Sequence, residues 1–234
     1  MQRIPLPESL ASVIEIHRVD LELEHEPREA CAVLAPEERD AAQRYRFRAD
    51  RVRYAVTRAA VRELLARRFG CAPQAVDIAV GPHRKPWLRG VGGGPAADAP
   101  LFNVSHSGRF SLIAIGASAR LGALGVDIEH CDPALDPFPI ADIGCTGPER
   151  ECLRRASNPL DVLYPIWVAK EAALKAVGVG IPEHLLSVCI ELGPVAQVGV
   201  GSTVAAWAGL KAMALPAPSG YVAAVAWREK ECAS

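Results

Sequence analysis

Three carboxylates and one lysine stand at spacings that aim them at one another. Asp127 and Glu129 lie two apart in the apolar run Gly125-Val126-Asp127-Ile128-Glu129, so on a strand both side chains leave the same face. Glu171 and Lys175 lie four apart in Trp167-Val168-Ala169-Lys170-Glu171-Ala172-Ala173-Leu174-Lys175, a helical pattern, so they share a helix face. A strand and helix packed together would gather Asp127, Glu129 and Glu171 into an all-oxygen pocket. That donor set suits a hard cation such as Mg2+, which favours carboxylates together with substrate phosphates. Lys175 would stand one turn away, placed to meet a phosphate. Each pair also has an ordinary reading: two solvent-facing acids on an edge strand, or a surface ion pair worth about a few tenths of a kcal/mol. The small apolar residues around the first pair, and the occurrence of both pairs together, favour a site.

Two further segments offer anion-binding chemistry. Phe102-Asn103-Val104-Ser105-His106-Ser107-Gly108 lies between a Gly/Pro-rich stretch and a strand. It concentrates hydroxyls, an amide and an imidazole, and is expected to form a turn with His106 exposed and available to a ligand. Asn103 and Ser107 are equally well explained as turn chemistry. His83-Arg84-Lys85-Pro86-Trp87 is a short basic spot whose turn Pro86 sets. Between Glu37 and Phe69 ten arginines face five acids, a local excess of positive charge, although most of these arginines are expected to be a solvated helix face.

Composition narrows the class. At 234 residues with half of them hydrophobic, the chain can bury one large core or two small ones. A net charge of −1 gives no argument for nucleic acid, and the N-terminal Met1-Gln2-Arg3-Ile4-Pro5-Leu6-Pro7 has no apolar signal region. No run is long enough to span a bilayer. The seven cysteines form no Cys-x-x-Cys pair and read as small buried groups of a reducing, cytoplasmic compartment. Arginine is the default cation, for only five lysines occur (Lys85, Lys170, Lys175, Lys211, Lys230), and two of them flank Glu171. Lysine can release a proton where arginine cannot.

The elements that must hold these groups follow from periodicity. Residues 13–23 alternate as a strand. Pro36-Glu37-Glu38 opens a long helical region with a stripe of Val52, Val56, Ala59, Ala60 and Leu64, closed by Gly70. Short strands are expected at 75–80, 110–115 and 124–128, with a loop over 89–100 and irregular chain over 132–146. A short helix over 148–156 precedes the Trp167–Val177 helix, for which Asn158-Pro159 supplies a start and Pro165 a kink. Strands over 186–192, 203–213 and 220–227 complete the chain. The fold class is α+β: two similar subdomains, 1–120 and 121–234, each a small antiparallel sheet packed with helices and related by a pseudo-twofold.

Taken together, the motifs resemble the 4'-phosphopantetheinyl transferases, specifically the Sfp (surfactin-type) group. Four blocks carry the resemblance in order: His83 to Pro86, Phe102 to Gly108, Gly125 to Glu129, and Trp167 to Lys175. A fainter match runs from Pro36-Glu37-Glu38-Arg39 to Arg53. The resemblance implies transfer of 4'-phosphopantetheine from coenzyme A to a serine of an apo acyl or peptidyl carrier protein, by a monomer that binds neither nucleic acid nor membrane. It implies a Mg2+ site at Asp127, Glu129 and Glu171, with Mn2+ as a substitute. Lys85, Ser105, His106 and Arg53 would hold the coenzyme A phosphates, His106 and Arg53 nearest the ribose 3'-phosphate. Lys175 would face the pyrophosphate, and Glu171 and Lys175 would be the catalytic pair. Two departures stand out: Arg84 replaces the usual glycine before Lys-Pro, and the basic residues common early in the first helical region are here Glu38 and Ala41. The alternative is a non-catalytic coenzyme A or carrier-protein binding module of the same fold.

Overall fold

The computed structural model describes residues 1–81, 85–89, 99–194 and 197–230. The first half runs β1 (Gln2–Ile4), α1 (Glu8–Ala11), β2 (Ile14–Asp20), α2 (Arg28–Val33), α3 (Pro36–Gln43), α4 (Arg48–Phe69), β3 (Ile78–Val80), β4 (Pro86–Leu88), β5 (Leu101–Ser107) and β6 (Phe110–Gly116). The second runs β7 (Leu121–His130), α5 (Pro137–Gly144), α6 (Gly147–Arg155), α7 (Leu160–Val177), α8 (Ile181–His184), β8 (Val188–Leu192), β9 (Gln197–Ser202), β10 (Lys211–Leu215) and β11 (Tyr221–Glu229). One antiparallel sheet has the order β1-β2-β6-β5 and the other β7-β11-β10-β9-β8, with β3 and β4 paired apart. The fold is α+β, two sheet-and-helix halves, as expected.

The layers follow from strand alternation. On β6, Ile113 and Ile115 pack with Val61, Leu64 and Leu65 of α4, while Leu112 and Ala114 point the other way. On β7, Leu124, Val126 and Ile128 join Leu112 and Ala114, and Ala123 packs with Ala169, Ala172 and Ala176 of α7. Each sheet therefore has its own long helix on one face and the other sheet on its opposite face. Both faces being covered, the strands read as nearly continuous apolar runs. Gly70 and Gly178 end α4 and α7 in the left-handed conformation, at φ 62° and 81°, as the glycine positions suggest.

Several expectations need correction. The helical region from Pro36 is two helices. Phe47 is extended, and the Arg51 guanidinium donates to the Tyr45 carbonyl that the break frees. The 132–146 segment is not irregular throughout. Asp136 accepts from the Phe138 amide and proline supplies the first turn of α5, which are start signals of a helix. Helix α7 begins at Leu160, ahead of Trp167, and Pro165 sits inside it, removing only the bond to the carbonyl of Asp161 near the helix start. Residues 203–213 are not one strand: a 3-10 turn at Ala205–Trp207 separates β9 from β10, and glycines 199 and 201 had hidden the alternation of β9. The Phe102–Gly108 block is strand, not turn, up to Ser107; only Gly108, at φ 51°, bends. Among the described residues no helix is long and apolar enough to cross a membrane. His83, Arg84 and most of the 89–100 loop lie outside the described residues.

Candidate active site

Strands β5 and β7 are the outer strands of their sheets, and they run beside one another across the seam between the halves. Alternation puts Asn103, Ser105 and Ser107 on one face of β5, and Asp127 and Glu129 on one face of β7. These faces interlock. The Ser105 hydroxyl donates to Asp127 Oδ1 at 2.6 Å, the Ser107 hydroxyl donates to Glu129 Oε2 at 2.9 Å, and Asn103 Oδ1 accepts the Val126 amide at 2.9 Å. Gly125 brings the helix in. A Cβ there would lie 2.1 Å from the Ala172 carbonyl oxygen and 2.5 Å from the Ala176 nitrogen, so only glycine lets α7 lie on β7. Glu171 and Lys175 are thereby delivered beside Asp127.

One oxygen each from Asp127, Glu129 and Glu171 lie within 4.8 Å of one another. The Lys175 ammonium is 2.5 Å from Asp127 Oδ1, 3.0 Å from the Ser105 hydroxyl and 3.7 Å from Glu171 Oε2. Asp127 is fully buried, and while its Oδ1 is engaged, its Oδ2 has no hydrogen-bond partner among the described residues. A buried, unpartnered carboxylate oxygen is costly unless something meets it. Three hard oxygens around such an atom fit a divalent cation of the Mg2+ type.

The electrostatics reflect crowding of like charge. Burial, then the nearby Asp127, raises the Glu171 carboxyl to about 7, against a smaller opposing pull from Lys175. Burial and Asp127 also raise Glu129, and the Ser107 hydroxyl opposes the shift. Burial disfavours the Lys175 charge, but Asp127 and Glu171 outweigh it, so its pKa stands above the usual value. The cluster therefore favours the charged ammonium of Lys175 and raises the proton affinity of the Glu171 carboxyl.

The other expected residues are placed differently. Lys85 donates to the carbonyls of Lys175 at 2.7 Å and Ala176 at 2.8 Å, so it clasps the end of α7. Burial lowers its pKa to about 8. Lys85 and Lys175 nonetheless line one cavity, of about 460 Å3. Arg53 donates to the Gly108 carbonyl at 3.0 Å and to Asp50 at 2.8 Å, tying α4 to the β5–β6 turn. His106 is exposed at its edge, and desolvation on its protein side lowers its pKa, with Lys175 and Arg53 adding to the effect. It lines a second cavity, of about 600 Å3, with Arg44, Tyr45, Tyr54 and Arg58. The two cavities share Pro86 and Val104, and so adjoin.

Some participants were not legible beforehand. Lys170 is not at the site at all. It is fully buried, 2.8 Å from Glu149 and donating to the carbonyls of Leu185 and Val188. Tyr221 of β11 accepts the Arg109 amide at 3.1 Å, bracing the turn after Ser107. The sequence marks Glu149 only as the close of a Thr146-x-x-Glu149 capping box, whereas its contact with Lys170, like that of Tyr221 with Arg109, joins residues far apart in the chain. Ser107, an even choice from sequence, is the residue that holds Glu129.

Comparison with known proteins adds an independent line. Residues 123–226 match the family model described as 4'-phosphopantetheinyl transferase superfamily, and residues 23–118 match the one described as 4'-phosphopantetheinyl transferase, N-terminal. The 4'-phosphopantetheinyl transferase HetI of a Nostoc species is 30% identical over 220 residues, covering 93% of this chain and 88% of that protein. A Synechocystis protein provisionally named a 4'-phosphopantetheinyl transferase is 34% identical over 152 residues, covering 64% of this chain and 59% of its own length. The 4'-phosphopantetheinyl transferase Sfp of Bacillus subtilis is 24% identical over 167 residues, covering 71% of this chain and 70% of that protein.

Proposed function

Since the chain belongs to the 4'-phosphopantetheinyl transferase superfamily, we propose that it moves 4'-phosphopantetheine from coenzyme A to a serine of an apo acyl or peptidyl carrier protein, with Mg2+. The order of the motifs supports a position in the Sfp-type group of that superfamily. The observation that carries this reading is the carboxylate triad with Lys175 at the seam between halves, beside cavities lined by basic residues.

In this reaction the serine oxygen bonds to the β-phosphorus of coenzyme A, and the bond from that phosphorus to the bridging oxygen breaks, releasing adenosine 3',5'-bisphosphate. Asp127, Glu129 and Glu171 would hold the cation, which supplies neutralisation of charge on the pyrophosphate when bound. Lys175 faces the departing phosphate and can steady it or give it a proton. Glu171, carried by α7 to the side of Asp127 and Lys175, would take the serine proton directly or through water. Ser105 and Ser107 keep Asp127 and Glu129 aimed, so the site is set before substrate arrives. The Asp136, Phe138 and Ile140 stretch at the start of α5, with Phe138 45% exposed, is the proposed docking surface for the carrier.

The test is intact-mass measurement of a panel of apo carrier proteins after incubation with the protein, coenzyme A and Mg2+. One phosphopantetheine should be gained on a carrier, and the gain should be lost with chelator and in Glu129→Ala. Coenzyme A binding without mass gain on any carrier would instead favour a non-catalytic binding module. Retention of most turnover by Glu171→Gln at saturating Mg2+ would remove the base role from Glu171.

A further inference from the structure

We propose that Arg58, with Arg44, is the specificity-determining pair for the phosphomonoester at the nucleotide end of the donor, the part that the motif resemblance assigns to Arg53. This rests on the reading of coenzyme A as substrate. Arg58 is only 12% exposed and lines the cavity of about 600 Å3 with Arg44 and His106. Its Nη1 is covered by protein yet has no hydrogen-bond partner among the described residues. The nearest acid does not satisfy it. Glu38 Oε1 lies 3.6 Å from Arg58 Nε, too far for a hydrogen bond, and its Oε2 is held on the other side by Arg62 at 2.5 Å and by the Ala35 amide at 3.1 Å. Arg58 thus brings to the cavity wall a guanidinium whose hydrogen-bonding capacity no described protein group fills, a donor suited to an anionic acceptor.

Arg53 is differently committed, because its Nε and Nη1 hold the Gly108 carbonyl and Asp50. The surroundings of Arg58 suit a nucleotide. The rings of Tyr45 and Tyr54 lie 5.5 Å apart on the cavity wall, and the Arg58 guanidinium stands 6.0 Å over the Tyr54 ring, which limits its freedom. The adjoining cavity contains Lys175, so one ligand can place a pyrophosphate at Lys175 and a separate phosphate between Arg44, Arg58 and His106. The early helical positions that lack a basic residue make the same point. Ala41 leaves the cavity wall open, Glu38 turns to Arg62, and α4 supplies the charge instead.

The experiment is calorimetric titration of the full chain with adenosine 3',5'-bisphosphate and with adenosine 5'-monophosphate. The wild-type protein should prefer the bisphosphate, and Arg58→Met should cut that preference by about tenfold, the scale of one charged hydrogen bond. Arg44→Ala, at an exposed position where folding is not at stake, should cut it in the same direction, and Arg67→Ala should leave it unchanged. An unchanged preference in both Arg58→Met and Arg44→Ala overturns the proposal, as does a wild-type protein that does not distinguish the two nucleotides. Carrier modification by the wild-type protein is scored separately, so failure of the transferase reading is seen on its own.

Discussion

Two ion pairs on one helix show how position decides the worth of a residue. Lys175 works in a partly open cluster of acids, whereas Lys170, five residues earlier, is sealed against Glu149 with every ammonium hydrogen engaged. Removing one partner leaves a buried charge unpaired, so Lys170→Met should cost about 3–5 kcal/mol in urea unfolding. Adding Glu149→Leu should recover part of that loss. Glu171 gives a pH prediction. Its folded pKa, about 7, exceeds the unfolded carboxylate value, so the folded state binds more protons between them. Stability contributed by the protonated form is present at low pH and declines as pH rises through about 7. In chelator, melting temperature should fall from pH 5 to pH 7.5 more steeply in wild type than in Glu171→Gln. His106 and His17, both held below their usual values mainly by burial, act in the opposite sense, which is why the difference between proteins is the quantity to measure.

At the level of elements, a single glycine sets the distance between β7 and the helix that carries Glu171 and Lys175. Gly125→Ala would drive a methyl group into the backbone of α7 at Ala172 and Ala176. The strand is fully covered on both faces, so the helix must shift. A stability loss of about 1–3 kcal/mol is expected on thermal unfolding, as in other overpacked cores. Transfer should fall further than stability does, since Glu171 and Lys175 ride on the displaced helix. Helix α7 itself was legible from its apolar period and closing glycine. Its true start was not, because Pro165 resembles a boundary and only packing onto the sheet keeps the helix continuous through it.

At the scale of the molecule, the site exists because two sheets stand back to back. Leu112 and Ala114 of one meet Val126 and Ile128 of the other, and this apolar seam aligns β5 with β7. Lys85 reinforces the seam from the first half by donating to carbonyls at the end of α7. Lys85→Met should leave those carbonyls without their donor and destabilise the protein by about 1–3 kcal/mol. The urea midpoint should drop with the slope unchanged, which two halves melting independently would not give.

The sequence by itself determined the carboxylate triad, because a spacing of two on a strand and of four on a helix fixes which side chains point together. It likewise determined the α+β class and the ends of both long helices. What it could not state was the partner across each gap. That Ser105 and Ser107 aim Asp127 and Glu129, that Lys85 holds carbonyls at the end of α7, and that Arg58 has a covered guanidinium N–H with no partner among the described residues all depend on residues brought together from distant parts of the chain. Local periodicity carries direction along an element. Only the packing of sheet on sheet, and of helix on sheet at Gly125, decides what each direction meets.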